Sequence, residues 1–577
     1  MLPQEIIFGL TGVGLFVIGL RGVMLHVSAL ARILAINVCG AGVFLVFVTV
    51  ATADSASVRT LCRSRWYSPA SSSRSVQPRW RWLWRAGCRR AAMNSLLIWP
   101  IALPLLGSLG ALVWSSRAHL IGVGVGILTL FASSLVALRF AEQGGLEHAL
   151  GGWEPGLGIA LRVDGLAAAL LMMSSLVALA AAVYATAYFS DPVKRAVFWP
   201  LWMLLVAALH ALLLAGDVFN VYVTLELLGL TAVALAALGG SRASLRAALR
   251  YLTVGLLGSM AFLAGVALLY AAYGTLDMRG LAGLVRAEPA AWVALTLMTA
   301  GLLVKAALFP LHFWLPPTHA NAPAPVSAAL SALVVKAAFY LVLRLWLDVF
   351  DGALTQAAAS LLGLLGAAAV LWGSWRALRA ERLKLLAAYS TVAQLGYLFL
   401  FLPLLLALPP GPGRDAALGG LVLFALTHGF AKSALFLAAG VIQQHAGHDR
   451  IADLGGTARA LPITTFVLAL SGVALIGLPP SGTFLAKWQL MSAAVTTGQW
   501  LWLPVVGLGS LLAGAYTFRV LGHAFGPSER AGGVLVGGRQ EIPALLLAIV
   551  ATVVLGLGAN GLWGFLSTGV SVTGVSS

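Results

Sequence analysis

Charged side chains make up only 10% of the 577 residues, and hydrophobic ones make up 60%. An ordinary soluble domain carries roughly 25% charged residues, so a soluble enzyme and a nucleic-acid-binding protein are both excluded as descriptions of the whole chain. Cysteine is nearly absent. Cys39, Cys62 and Cys88 all precede Met93, so the main body has no disulfide framework, zinc site or thiolate-held cluster to offer. No nucleotide loop or flavin site occurs, and no cofactor is expected. Lysine is rare as well, with six residues against thirty arginines. The formal charge of +17 does not call for a polyanionic partner, because the basic residues sit in short links between long apolar runs, as the positive-inside rule produces. With a mean hydropathy of +0.95, the chain reads as an all-α, polytopic membrane protein.

A helix that crosses a bilayer needs about 20 mostly apolar residues, because the hydrocarbon core is roughly 30 Å thick. Two such runs come first, over 5–23 and 32–50. Residues 54–92 then carry nine arginines, eight serines and four tryptophans, which suits neither a membrane helix nor a folded module. This linker reads as the product of a shifted frame or a gene fusion, with Met93 as the natural start of the functional protein; a polybasic, lipid-binding linker is the alternative. From Met93 fourteen spans are predicted, near 96–114, 119–139, 165–189, 197–215, 218–239, 250–273, 290–312, 325–349, 356–376, 386–407, 416–441, 461–482, 500–523 and 542–565, with an amphipathic piece at 484–495. The domain plan is therefore a two-helix segment over 1–53, the linker 54–92 and a fourteen-helix body over 93–577. Basic residues favour the odd-to-even links, among them Lys194, Arg195, Arg242, Arg246, Arg376, Arg379 and Arg382. That bias places those links in the cytoplasm and both ends of the body outside.

Four lysines, Lys305, Lys336, Lys432 and Lys487, fall inside apolar segments, whereas Lys194 lies in a loop and Lys384 at a helix start. A cation there costs on the order of 3 kcal/mol even on lenient insertion scales, so such residues usually face a bundle interior or a water path. Burial can also lower a lysine's pKa by several units, where arginine stays charged. Four tunable amines in a chain that otherwise uses arginine point to a series of protonatable sites. Snorkelling or helix capping is the structural alternative.

Glu226, in GDVFNVYVTLELLGLTAVAL, is the one carboxylate deep inside a predicted span. It must pair with a buried lysine, for which Lys305 is the candidate, or carry a proton itself. A purely structural ion pair is the other reading, and Asp217 reads as a helix cap. His428 and Lys432 stand four residues apart in FALTHGFAKSALFLAAG and so share a face of helix 11, as an internal relay step requires. His312 and His319 flank the WLPP sequence, where His319 could link Lys305 to Lys336; His210 reads as structural. Nothing resembles paired axial ligands at matched depth, so a haem-carrying cytochrome is disfavoured.

Helix 7 runs through KAALFPLHFWLPPTHANAPAP and helix 12 through SGVALIGLPPSGTFLAKWQL. Proline removes a backbone donor and frees the carbonyl one turn back, which in lipid is tolerated only where protein or water satisfies it. Two interrupted helices five apart are the pattern of inverted-repeat transporters, with ion sites at the discontinuities. Ordinary proline kinks are the alternative.

The stretches KAALFPLHFWLPPTHANAPAPVSAALSALVVKAAFY, ERLKLLAAYSTVAQLGY, FALTHGFAKSALFLAAG and GLPPSGTFLAKW resemble the antiporter-like subunits shared by Mrp-type cation/proton antiporters and respiratory NADH-quinone oxidoreductase. The resemblance covers essentially all of 93–577. It implies a fourteen-helix bundle with inverted five-helix repeats at helices 4–8 and 9–13, forming two half-channels. By motif it implies proton transfer through Glu226, Lys305, Lys336, His428, Lys432 and Lys487. Gln394 stands where some respiratory relatives have histidine, which puts a relay step on helix 10 in doubt. Lys487, and a body that ends at helix 14, resemble the D-type member of the Mrp antiporters, while residues 1–50 resemble the first two helices of their C-type member. The expected function is that of an integral-membrane, proton-translocating subunit of a multisubunit Na+/H+ antiporter in the plasma membrane. Its expected partners are the A-like and C-like membrane proteins of such a complex. A pump module of a redox complex is the second reading, with any redox chemistry in partner proteins. A scaffolding role is disfavoured by the cost of burying Glu226 and four lysines.

Overall fold

A computed structural model of the chain describes residues 95–150, 159–527 and 538–567. The expected two-helix segment over 1–53 and the linker over 54–92 lie outside the described residues. Among the described residues twelve helices are long and apolar enough to cross a membrane: α1 (Ser95–Val113), α2 (Ser115–Gln143), α3 (Gly165–Tyr188), α4 (Pro192–Leu214), α5 (Val218–Ala237), α6 (Arg242–Tyr273), α8 (Ala324–Val349), α9 (Gln356–Leu378), α10 (Leu383–Ala407), α11 (Pro412–Ala446), α13 (Trp502–Phe525) and α14 (Gly538–Leu557). The two remaining predicted spans are broken helices. The first consists of α7a (Pro289–Lys305) and α7b (Leu315–Asn321), the second of α12a (Pro462–Ile476) and α12b (Gly482–Thr496). The helix count read from the apolar runs therefore holds, but the boundaries at the breaks do not. Helix 7 stops at Lys305 instead of 312, and helix 12 at Ile476 instead of 482. The piece read as amphipathic at 484–495 is the second half of that broken helix.

The broken helix is the fourth member of α4–α8 and again of α9–α13. Five crossings are an odd number, so the second set runs through the membrane in the opposite sense to the first. The helix starts follow simple capping chemistry. Asp164, Asp191, Asp217 and Ser241 each accept a backbone N–H from the first turn of α3, α4, α5 and α6, as was expected of Asp217. Along the most apolar stretches of α8 and α11 every residue is buried, whereas α1 and α2 leave most of theirs open. A helix that is apolar all round belongs in a core or against lipid, and both cases occur here.

Backbones touch where glycines face each other. A methyl group on Gly301 of α7a would run into the Gly258 carbonyl of α6. Gly301→Ala is therefore expected to force the two helices apart at a cost of about 1–3 kcal/mol, seen as a lower unfolding temperature of the detergent-solubilised protein.

A feature that no pattern in the chain announces lies at the end of the bundle where α2 meets α3. Strands β1 (Leu146–Ala149) and β2 (Ala160–Val163) form an antiparallel hairpin. Its Leu161 bridges to Ala215, and Asp217 bridges to Asp277, so three links are stitched together. Arg162 pairs with Glu147 at 2.6 Å and with Asp277 at 3.6 Å. Arg344 of α8 pairs with Asp164, and with Asp348 at 3.1 Å. Burial raises the Asp164 carboxyl, but the Arg344 guanidinium outweighs it and holds the group below the usual carboxylate range.

Candidate functional site

The first site residues meet at the break of helix 7. Lys305 is the last residue of α7a, and its Nζ donates to Glu226 Oε1 of α5 at 3.3 Å. The two side chains are 9% and 12% exposed, so each charge has little but the other to compensate it. The turn after Lys305 puts Ala307 in the left-handed region at φ 53. Trp314 anchors it, donating from its indole to the Val304 carbonyl at 2.9 Å and stacking on Tyr251 of α6 at 4.1 Å. Beside the pair lies a narrow cleft whose lining includes Gly229, Val233, Gly255 and, from α8, Val334 and Ala338.

Lys336 is 3% exposed and sits just after a π-turn over Leu330–Val334. Its Nζ donates to the Ser331 carbonyl at 3.0 Å. A π-turn shifts the hydrogen-bond register and is frequent at functional sites. Across from it on α11, His428 and Lys432 are 1% and 0% exposed. The charges of Lys336 and Lys432 both act on His428, so the shared helical face read from the sequence does point into a common cluster. Both ring nitrogens of His428 are buried without a hydrogen-bond partner. Lys432 Nζ donates to the Ala387 carbonyl of α10 at 3.0 Å and to Ser390 Oγ.

Lys487 of α12b is 4% exposed. Its amine turns back to the Ile476 carbonyl at 2.9 Å and to Ser510 Oγ at 2.8 Å, and lies 4.5 Å above the Tyr397 ring. Ile476 is the last residue of α12a, so the Lys487 amine sits at the negative, carbonyl end of a helix. Gln394 reaches the same helix end one residue earlier, its amide donating to the Leu475 carbonyl at 2.9 Å.

His319 departs from its expected place. It is fully buried and stacked on Phe436 of α11 at 4.8 Å, and the charges that act on it are those of Lys384 and Lys432. The expected position between Lys305 and Lys336 is therefore not the one observed: the short α7b packs against α6 and α10, and His319 at its end reaches Phe436 of α11. His210 is structural as expected, held by Ser174 Oγ at 3.0 Å and the Pro100 carbonyl at 2.9 Å.

Lys384 is the residue sequence reasoning passed over. It is 2% exposed, and its Nζ donates to the Ala322 carbonyl in the link between α7b and α8. Arg382, paired with Asp449 at 2.8 Å, donates to the Ala320 carbonyl at 3.0 Å. A polar cavity of about 400 Å³ reaches Lys384 and is also lined by Asp191, Lys194, Asn321, Arg382 and Gln444. A lysine at the first turn of a helix ordinarily faces solvent, so no pattern in the chain marks this one as buried. Among the described residues no three His, Cys, Asp or Glu side chains converge as a metal site.

The arrangement is thus a buried row of ionisable groups across both repeats, interrupted by polar side chains and broken helix ends. The family model "NADH:quinone oxidoreductase/Mrp antiporter, TM" matches residues 215–513, which takes in every one of these groups. The chain belongs to that family. NADH-quinone oxidoreductase subunit N of Desulforudis audaxviator (strain MP104C) is 37% identical over 448 residues, 75% of this chain and 87% of that protein. The D-type subunit of the Na(+)/H(+) antiporter of Alkalihalophilus pseudofirmus is 27% identical over 480 residues, 81% of this chain and 95% of that one. A chain of the Mrp complex from Dietzia sp. DQ12-45-1b superposes with a TM-score of 0.75 at 27% identity, covering 83% of this chain and 96% of the other.

Proposed function

We propose that this chain is the proton-translocating membrane subunit of a multisubunit Mrp-type antiporter that exchanges protons for sodium or another monovalent cation. The observation that carries the reading is the Glu226–Lys305 pair at 3.3 Å on the end of a broken helix. Swinging Lys305 away from Glu226 changes the proton affinity of both groups, and one pKa unit corresponds to about 1.4 kcal/mol, so a small movement suffices to pass a proton on. From there the path runs by Lys336, His428 and Lys432 to Lys487, with His319 joining from α7b and the cavity at Lys384 giving water access. The arginine-rich odd-to-even links face the cytoplasm of a plasma-membrane protein. A-like and C-like membrane proteins complete the assembly. Residues 93–577 form the working body, 1–53 correspond to a truncated C-like segment, and 54–92 are the product of a shifted frame or a gene fusion.

The second reading, a pump module of a redox complex, is favoured by the 37% identity to an NADH-quinone oxidoreductase protein. Inverted vesicles holding the whole assembly separate the two. On the antiporter reading, sodium dissipates a preformed acid interior, and Glu226→Gln vesicles do not respond. On the redox reading, sodium does nothing, and a reduced donor builds a gradient that the Gln variant loses.

A further inference from the structure

The hydrogen bonds of the second repeat leave a gap between two clusters. Lys432 ends on Ser390 Oγ and the Ala387 carbonyl, while Lys487 ends on Ser510 Oγ and the Ile476 carbonyl. Between them stand Gln394 of α10 and Tyr516 of α13. Tyr516 is 1% exposed, and its hydroxyl is buried with no hydrogen-bond partner. That hydroxyl faces Gln394 and Ser390. Gln394 Oε1 is buried and unpartnered in the same way, so an unused donor confronts an unused acceptor. A buried group left unpaired carries its full desolvation penalty, which favours any small rotation of Tyr516 that joins them.

The broken helix supplies the other end of the connection. Helix α12a stops at Ile476, followed by Gly477 at φ 84 and the Pro479–Pro480 pair, so its last carbonyls have no partner in the helix. The Leu475 carbonyl takes the Gln394 amide and the Ile476 carbonyl takes the Lys487 amine. Gln394 and Lys487 are therefore held on adjacent residues of one helix end. Ser390 and Gln394, four residues apart, lie on one face of α10, and Ser390 is the group on which Lys432 rests.

We infer that Tyr516 is a proton-relay residue, its hydroxyl joining Lys432, by way of Ser390, to Lys487, with Gln394 as the positioning residue that ties it to the end of α12a. This rests on the reading of the chain as a proton translocator. A hydroxyl suits the task because one oxygen both donates and accepts. As the Tyr516 O–H bond breaks towards the Lys487 amine, a new O–H bond forms with the proton handed on from the Lys432 ammonium through Ser390. Lys432 is left as a neutral amine, Lys487 becomes an ammonium, and Tyr516 and Ser390 end neutral. Gln394 cannot take this part, since an amide neither gains nor loses a proton near neutral pH.

The test uses the whole assembly in inverted vesicles and reads the rate at which sodium collapses a preformed acid interior. Tyr516→Phe removes one oxygen and is expected to slow that rate by at least about a hundredfold, the lower range for a positioned proton-transfer group. Gln394→His in the Tyr516→Phe background is expected to restore most of it, because an imidazole at 394 stands beside Ser390 and Leu475 and carries a proton itself. A structural hydroxyl would not be rescued in this way. Transport by Tyr516→Phe within twofold of the parent protein overturns the inference. So does a loss that Gln394→His fails to recover, or a complex that falls apart on a native gel. If the unmodified assembly shows no sodium response, or Glu226→Gln responds like it, the translocator reading itself has failed and this inference falls with it.

Discussion

Lys305→Met is expected to reduce cation-driven proton movement to the background of empty vesicles. The Lys305 ammonium has the Glu226 carboxylate at 3.3 Å and lies at the end of α7a, where the chain turns out of helical geometry at Ala307. Removing one partner of a buried pair leaves the other charge uncompensated, and such changes cost about 3–5 kcal/mol. Lys305→Met and Glu226→Gln should each lower the unfolding temperature of the solubilised protein. In Glu226→Gln/Lys305→Met both charges are gone, so stability should return towards that of the parent. Transport should not. A structural ion pair predicts that the double variant recovers both properties, so unfolding temperature and sodium-driven proton flux measured on the same three variants decide between the two roles.

Lys432 should behave in the opposite sense. Its amine is fully buried, it rests on a carbonyl and a hydroxyl, and its charged neighbour is another lysine, Lys336. Among the described residues no carboxylate pairs with it. Replacing an unpaired buried cation by a side chain of similar volume removes a desolvation cost and leaves no orphaned partner. Lys432→Met is therefore expected to raise the unfolding temperature while abolishing proton flux. Lys432→Arg keeps the cation but cannot release its proton, so it should also be inactive, without the gain in stability. A stabilised yet inactive Met variant is the mark of a residue kept for function against the interest of the fold. An active Met variant would remove Lys432 from the path.

How much of this was legible beforehand can be judged residue by residue. Glu226, Lys305, Lys336, Lys432 and Lys487 stood out because a charge inside an apolar run is costly wherever the chain folds, and that argument needs no coordinates. The His428–Lys432 pair was equally open to reading, since spacing of four fixes a shared helical face. The position of His319 depends on how the short α7b leans on α6 and α10, a matter of packing between segments distant in the chain. Lys384 was missed for a related reason. Only the approach of the Ala322 carbonyl from the first repeat turns a helix-start lysine into a buried one. Tyr516 gave no signal at all, because an aromatic residue on an apolar helix looks the same whether its hydroxyl faces lipid or a polar row.

By itself, then, the sequence determined the all-helical class, the fourteen spans of the body, the two breaks and the identity of most ionisable groups. Each of these follows from local hydrophobic length, proline chemistry and the cost of charge in hydrocarbon. The tertiary structure alone decided which of those groups meet: Glu226 with Lys305, Lys336 with His428 and Lys432, Lys384 with the link between α7b and α8. It also decided where the helix ends freed by the breaks find partners, and that the links at one end of the bundle are stitched by a β-hairpin. Such pairings are set by how helices far apart in the chain pack and by which exposed carbonyls must be satisfied in a medium that offers no water, and no local pattern records them.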